Sequence, residues 1–320
     1  MRHRFAPIAS LCVGLALIGG VTACSTDAAV SAETAATSTT AAAEDAAKLD
    51  AAVAQFPATP PQTVVAASVP LAEILTLLDI PVAGVPSTTT QQLPAALDGV
   101  PRIGSTMAPD VEKIVDLAPD LVIAAESSRS TVEASLASTT TPSAFLETDS
   151  FGDLKFAVEV LGAAFDRTDQ ADKIIDTMNE QEQTLASAGA STDAPKVLVL
   201  IGATDSFMVM NDNSFLGSLI DLSGADNVAV SALKAKETYS AVNLENIIAA
   251  APDVVLVLRS GNVADSQAAF DAEVAKNAAW KSLPAYANGR IHVLDYSTFG
   301  YTSVGQLAQA VPTLAGLLYP

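Results

Sequence analysis

The chain has 320 residues, half of them hydrophobic, and a formal net charge of −20. So acidic a chain is not expected to seek nucleic acid or bare anionic lipid, and the acids are spread along it rather than blocked. The length suits one large or two medium domains.

Arg2 and Arg4 precede an apolar run from Ile8 to about Ala23. The run is short for a membrane span and ends in small residues, so residues 1–23 read as a cleavable signal peptide. It closes on Val21-Thr22-Ala23-Cys24, which resembles the lipobox of bacterial lipoproteins. That resemblance implies diacylglycerol on Cys24 and an exported protein held by lipid at the extracytoplasmic face of the cell membrane. Cys12 lies in the segment to be removed, which leaves Cys24 as the sole thiol with no intrachain disulfide open to it. From Ser25 to Lys48, 18 of 24 residues are Ala, Ser or Thr and none is aromatic. Residues 24–60 are therefore expected to form a disordered tether, because they cannot bury enough apolar surface to offset ordering entropy.

Past Pro61, short apolar runs alternate with helical spacing. Thr63 to Ala67 reads as a strand, and Leu71, Ile74, Leu75 and Leu78 follow at helical intervals. Pro81 to Val85 is a second strand. A helix from about Asp110 to Leu117 leads into the strand Leu121–Ala124, followed by a helix near Thr131–Leu136 and a strand near Phe145. Between Thr168 and Ala186, Ala171, Ile174, Ile175, Met178 and Leu185 form one stripe on an otherwise polar stretch, which predicts one long amphipathic helix. The alternation resumes with the strand Lys196–Ile201, and a helix from about Ser303 to Leu318 closes the chain. The predicted class is α/β: two Rossmann-like lobes with mostly parallel sheets, at 61–166 and 191–320, joined by one long helix within 167–190.

An internal repeat relates the halves. Glu112-Lys113-Ile114-Val115-Asp116-Leu117-Ala118-Pro119-Asp120-Leu121-Val122-Ile123 parallels Glu245-Asn246-Ile247-Ile248-Ala249-Ala250-Ala251-Pro252-Asp253-Val254-Val255-Leu256 without a gap. In each copy a short helix must stop before the proline, and a buried strand starts at once.

Two α/β lobes, a connecting helix and a lipid anchor resemble the substrate-binding proteins of ABC importers for iron complexes and cobalamin, in which the Pro-Asp run above is typical. A closer resemblance is to the haem-receptor lipoproteins of the iron-regulated surface determinant type. It is carried by Val85-Pro86-Ser87-Thr88, by Gly104-Ser105-Thr106-Met107-Ala108-Pro109-Asp110-Val111-Glu112, by Asn213–Gly217 running on to Gly224–Val228, and by Phe299-Gly300-Tyr301-Thr302. The resemblance implies a bilobal periplasmic-binding-protein fold, haem in the cleft between the lobes, an ABC permease dimer as partner, and a monomer.

It also implies site residues. Met107, with Thr106 beside it at the mouth of a helix, stands where those receptors hold an axial ligand to haem iron, and a thioether suits that iron. The other reading of Met107 is core packing. The receptors' second ligand, a histidine, falls on Ser260, a poor iron ligand. His292, in a predicted strand, reads as a packed or edge-strand histidine. Tyr301 is the substitute ligand, with Arg259 to lower its phenol pKa or pair with a propionate. Tyr239, near Lys234 and Lys236, is a further candidate, as are Met208 and Met210 in a loop expected after the strand ending at Gly202. Each has ordinary packing or solvation as its alternative. Glu112 and Glu245 are the expected permease-docking acids, one per lobe, although helix N-termini favour acids anyway.

No dinucleotide loop, phosphate loop, paired-histidine zinc motif or nucleophile elbow occurs, and two histidines leave little general acid–base capacity. The sequence thus points to a receptor rather than an enzyme. A ferric siderophore is the alternative cargo and cobalamin a weaker one. A surface sensor or adhesive lipoprotein is the alternative of another class.

Overall fold

The computed structural model describes residues 43–88, 91, 93–190, 193–203 and 206–320. The signal segment and Cys24 lie outside them. The chain divides into two units, Met1–Ala47 and Lys48–Pro320. In the first, residues 43–47 are helical; the rest of this description concerns the second.

Packed structure begins before the expected boundary at 61. Residues 48–53 are helical, and Leu49, Ala52 and Val53 pack on the core. Phe56 is buried edge-on against Phe165, and Gln55 accepts a hydrogen bond from the Phe145 N–H. The disordered tether predicted for 24–60 therefore does not extend to its expected end. One aromatic residue and three apolar ones at helical spacing suffice to dock this stretch.

The first lobe holds the strands β1 (Val64–Ala66), β2 (Val82–Gly84), β5 (Leu121–Ala125) and β6 (Ser143–Leu146) in a parallel sheet of order β2-β1-β5-β6. Between β2 and β5 lies a small antiparallel hairpin, β3 (Gly104–Ser105) and β4 (Ala108–Pro109). The second lobe holds β7 (Lys196–Ala203), β8 (Ser206–Met210), β9 (Asp226–Asn227), β10 (Tyr239–Ala241), β11 (Val254–Leu258) and β12 (Ile291–Leu294). Their order is β10-β8-β7-β11-β12, with β9 alongside β7. Here β8 runs antiparallel to both neighbours, so the sheet is mixed.

The predicted long helix links the lobes, and a second helix runs beside it. Phe151–Ala164 precedes the predicted helix, which spans Thr168–Gly189, and the two pack together. The first is capped by Ser150, whose hydroxyl accepts from the Asp153 N–H at 3.1 Å while the Asp153 carboxylate accepts from the Ser150 N–H at 3.0 Å. Its apolar residues surround it, so no one-sided stripe marks it in the sequence.

Each central strand feeds two of three cores by alternation. Val64, Leu121, Ile123, Val197, Val199, Val254 and Leu256 share one core with these two helices and the final helix, Leu307–Leu318. Their neighbours Val65 and Val122 face a separate core on the outer side of the first sheet. Leu198, Val255 and Val257 likewise face an outer core containing Phe270 and Trp280.

The repeated Pro-Asp run has one job in both lobes. Ala118 and Ala251 both adopt left-handed φ, at 44° and 47°, to end their helices. The carboxylates that follow then cap a neighbouring strand. Asp120 accepts from the N–H groups of Gln62 and Thr63, and Asp253 from that of Lys196 at 2.9 Å. Each aspartate thereby pins the start of a central strand beside its own.

Glu73 makes the one buried carboxylate link across the lobes among the described hydrogen bonds. It lies in the Val69–Leu77 helix, is 9% exposed, and accepts from Ser303 Oγ at 2.9 Å and from the Gly305 N–H at 2.8 Å. A Cβ at Gly305 would meet the Glu73 carboxylate at 2.5 Å, so glycine is what permits the approach. Burial pushes the Glu73 carboxyl above its usual range, against the opposing effect of these hydrogen bonds. The folded chain therefore holds this proton more tightly than the unfolded one. Its contribution to stability is full below the unfolded pKa and is lost as pH rises through the folded value. Glu73→Gln, which keeps an acceptor but no charge, is expected to gain stability relative to the parent as pH is raised from about 4 to 7. Glu73→Ala strands buried donors and is expected to lose about 1–3 kcal/mol. Urea unfolding across that pH range checks both.

Candidate functional site

The carboxyl ends of parallel strands are where α/β sheets present ligand sites. Three such ends converge here. Ser68 follows β1, Ala125 ends β5, and Thr148 and Asp149 follow β6. From the second lobe come Met210 at the end of β8, Tyr239 at the start of β10, Phe215 at the head of a helix, and the Phe299–Thr302 segment. Together they line a cleft of about 300 Å³. Tyr301 also borders a second cavity of about 420 Å³, which Glu73, Ser303 and Gly305 line. The Glu73 bonds thus hold the segment that carries Tyr301. Another cavity, of about 350 Å³ beside Phe270 and Ile291, opens at the amino end of β12, away from these strand ends.

The structure brings together Thr106, Tyr239, Tyr301 and Met210 of the sequence candidates. Met107 is placed differently from expectation. It sits at the tip of the β3–β4 hairpin, not at a helix entry, and is 73% exposed. Gly104 at φ 93° and the Ser105 hydroxyl, which accepts from the Ala108 N–H at 3.1 Å, build that turn. Core packing is therefore not its role. Its neighbour Thr106 lines the cleft, whereas Met107 is not in the lining.

Met208 and Met210 belong to β8 rather than to a loop. Two residues apart on one strand, they share a face, yet Met208 is 40% exposed while Met210, at the strand end, is 4% exposed and alone of the two lines the cleft. Arg259 is a correction too. Its guanidinium is largely buried against Glu273, 3.8 Å away, and does not line the cleft. The cause is the helix after β11, Val263–Lys276, which carries Glu273 back towards the strand end. Ser260, Lys234 and Lys236 are exposed and outside the lining. His292 is in β12, an edge strand, half-buried and away from the cleft; burial and Arg290 depress its pKa.

Sequence reading missed Ser68, Thr148, Asp149, Phe215 and Phe299. For the first three the signal was their place just beyond a predicted parallel strand. The aromatic groups are electrically linked. The Tyr296 ring stands edge-on to Tyr301 with centroids 5.1 Å apart. Burial raises the Tyr296 phenol, and its neighbours Tyr301 and Tyr239 add to this. Burial and then Asp149 raise Tyr239. Asp149 is itself raised, by desolvation and by repulsion from Asp153. Among the described residues, no group of three or more His, Cys, Asp or Glu is arranged to hold a bare metal ion.

This arrangement, two sheets presenting strand ends to one cleft across a linking helix and its neighbour, defines a bilobal binding protein. The family model for periplasmic binding proteins matches residues 64–298, and the chain belongs to that family, as a class III substrate-binding protein of ABC transporters and not an enzyme. Among particular proteins, it is 30% identical over 229 residues to the high-affinity heme uptake system protein IsdE of Staphylococcus aureus, covering 71% of this chain and 77% of that one. The crystal structure of S. aureus IsdE complexed with heme superposes with a TM-score of 0.70 at 28% identity, over 81% of this chain and 99% of that chain. An ABC transporter substrate-binding protein from Listeria monocytogenes EGD-e superposes with a TM-score of 0.73 at 31% identity, over 81% and 98%.

Met107 and Met210 separate surface from core. Met107→Ala is expected to change unfolding free energy by no more than about 0.5 kcal/mol. Met210→Ala is expected to lose about 2–5 kcal/mol. Denaturant titration of the two variants checks the contrast.

Proposed function

We propose that this chain is the lipid-anchored receptor of an ABC importer for an iron complex, and that haem is its cargo. The observation that carries the haem reading is the 30% identity to a heme uptake protein over most of both chains. The cleft supports it with an aromatic wall of Tyr239, Phe215, Phe299 and Tyr301, and the exposed Met107 adjoins Thr106 of its lining. A flat apolar ring system would cover that surface. Met107 and the Tyr301 phenol are the candidate iron donors, one soft and one hard. Ser260 lies outside the lining and takes no part.

Capture relies on a cleft that is largely formed beforehand. The shared core beneath both sheets and the Glu73 link leave room for small hinge movements only. Delivery falls to Glu112 and Glu245. Both are exposed in the first turn of their helices, at equivalent places in the repeat, as docking to a two-fold permease requires. Lipid on Cys24 would hold the receptor near that permease at the extracytoplasmic face and raise its effective concentration. Among the described residues no helix is long and apolar enough to cross a membrane.

A ferric siderophore is the second reading, favoured by the hydroxyl and phenol donors of Thr106, Tyr239 and Tyr301 in the lining. A haem titration of the purified chain separates the two. Haem cargo predicts a Soret shift that Met107→Ala or Tyr301→Phe alters, while no shift in the parent chain moves the siderophore to first place. Reversing both Glu112 and Glu245 to lysine is expected to abolish uptake and leave ligand binding intact. Unchanged uptake would contradict the transport role and favour a sensor or adhesive lipoprotein.

A further inference from the structure

The cleft has a charge pattern that narrows its ligand. Asp149 is the one charged side chain in the described lining. Acids stand close behind it on the first lobe: Glu126 follows Ala125, Glu147 precedes Thr148, and Asp153 caps the next helix. They act on one another. Glu147 is raised by desolvation and by repulsion from Asp149, Asp153 and Glu126. The nearby cation is already engaged. Arg129 bonds both oxygens of Glu126, at 2.5 and 2.6 Å, reaches Glu133 at 3.3 Å, and stacks over Phe145. Arg259, the cation expected to meet a ligand carboxylate, is committed to Glu273.

A ligand carboxylate carried into this cleft would lose its water and meet Asp149 rather than a cation. Desolvation and like-charge repulsion both oppose that. Hydroxyls of Ser68, Thr106 and Thr148 and the aromatic wall remain to receive neutral surface.

We infer that the cleft selects its iron complex by charge, admitting a face that carries no carboxylate, with Asp149 as the specificity-determining residue. This rests on the reading of the cleft as the ligand site. A porphyrin then enters with its propionates outward, and a polycarboxylate ferric chelate is rejected in favour of a neutral or cationic one.

The test uses two probe pairs on the purified chain. Haem is compared with haem dimethyl ester, and ferric citrate with the cationic trihydroxamate ferrioxamine B. The ester is expected to bind within about threefold of haem or more tightly, and the trihydroxamate more tightly than citrate. Asp149→Lys, an exposed position, is expected to tighten the anionic member of a pair by at least about tenfold and its partner far less. A tenfold weaker ester, or tighter citrate, overturns the inference. If neither porphyrin binds, the haem reading fails separately and the chelate pair decides the charge question. If the parent binds no probe, binding of the anionic probes gained in Asp149→Lys still supports the inference, and no gain overturns it.

Discussion

The inner faces of the two sheets share one hydrophobic core, and the rest of the molecule depends on it. Alternate residues of β1, β5, β7 and β11 point into it, and the helices Phe151–Ala164, Thr168–Gly189 and Leu307–Leu318 fill it. Because strand side chains alternate with a period of two, the same strands also supply the two outer cores. A hinge between the lobes would have to break contacts in a close-packed interior, which deforms little. The cleft lies above that core, so the proposed ligand would meet walls nearly as built.

Electrostatics refine what packing sets. The Glu73 carboxylate is kept in a poor environment for charge because two donors from the Tyr301 segment need an acceptor there. One interaction therefore ties lobe position to the placement of a cleft-lining phenol. On the opposite wall, a group of acids makes the field at the cleft negative while the arginines near strand ends are spent on internal ion pairs. The family sets the cleft's location, whereas these local pairings set what charge it tolerates.

Several elements were legible because one residue pattern dictated them. Leu71, Ile74, Leu75 and Leu78 could bury together only on a helix, and all four are fully buried. The duplicated Pro-Asp run announced two equivalent helix-to-strand junctions, and the structure adds the reason for the aspartate, a cap on the neighbouring strand. Elements without a one-sided pattern escaped. The Phe151–Ala164 helix is apolar around its circumference, and β8, with Phe207, Val209 and Met210 all buried, looks like the tail of a loop.

The sequence by itself determined the α/β class, the two lobes and which helix lies along their junction, because periodicity and turn chemistry are local properties. It also determined that Thr106, Tyr239, Tyr301 and Met210 merit attention. Only the tertiary structure decided that these four meet in one cleft, that Met107 stands exposed at a hairpin tip, and that Arg259 turns away to Glu273. Those outcomes depend on partners far apart in the chain, such as Glu73 and Gly305, whose contact no local pattern encodes.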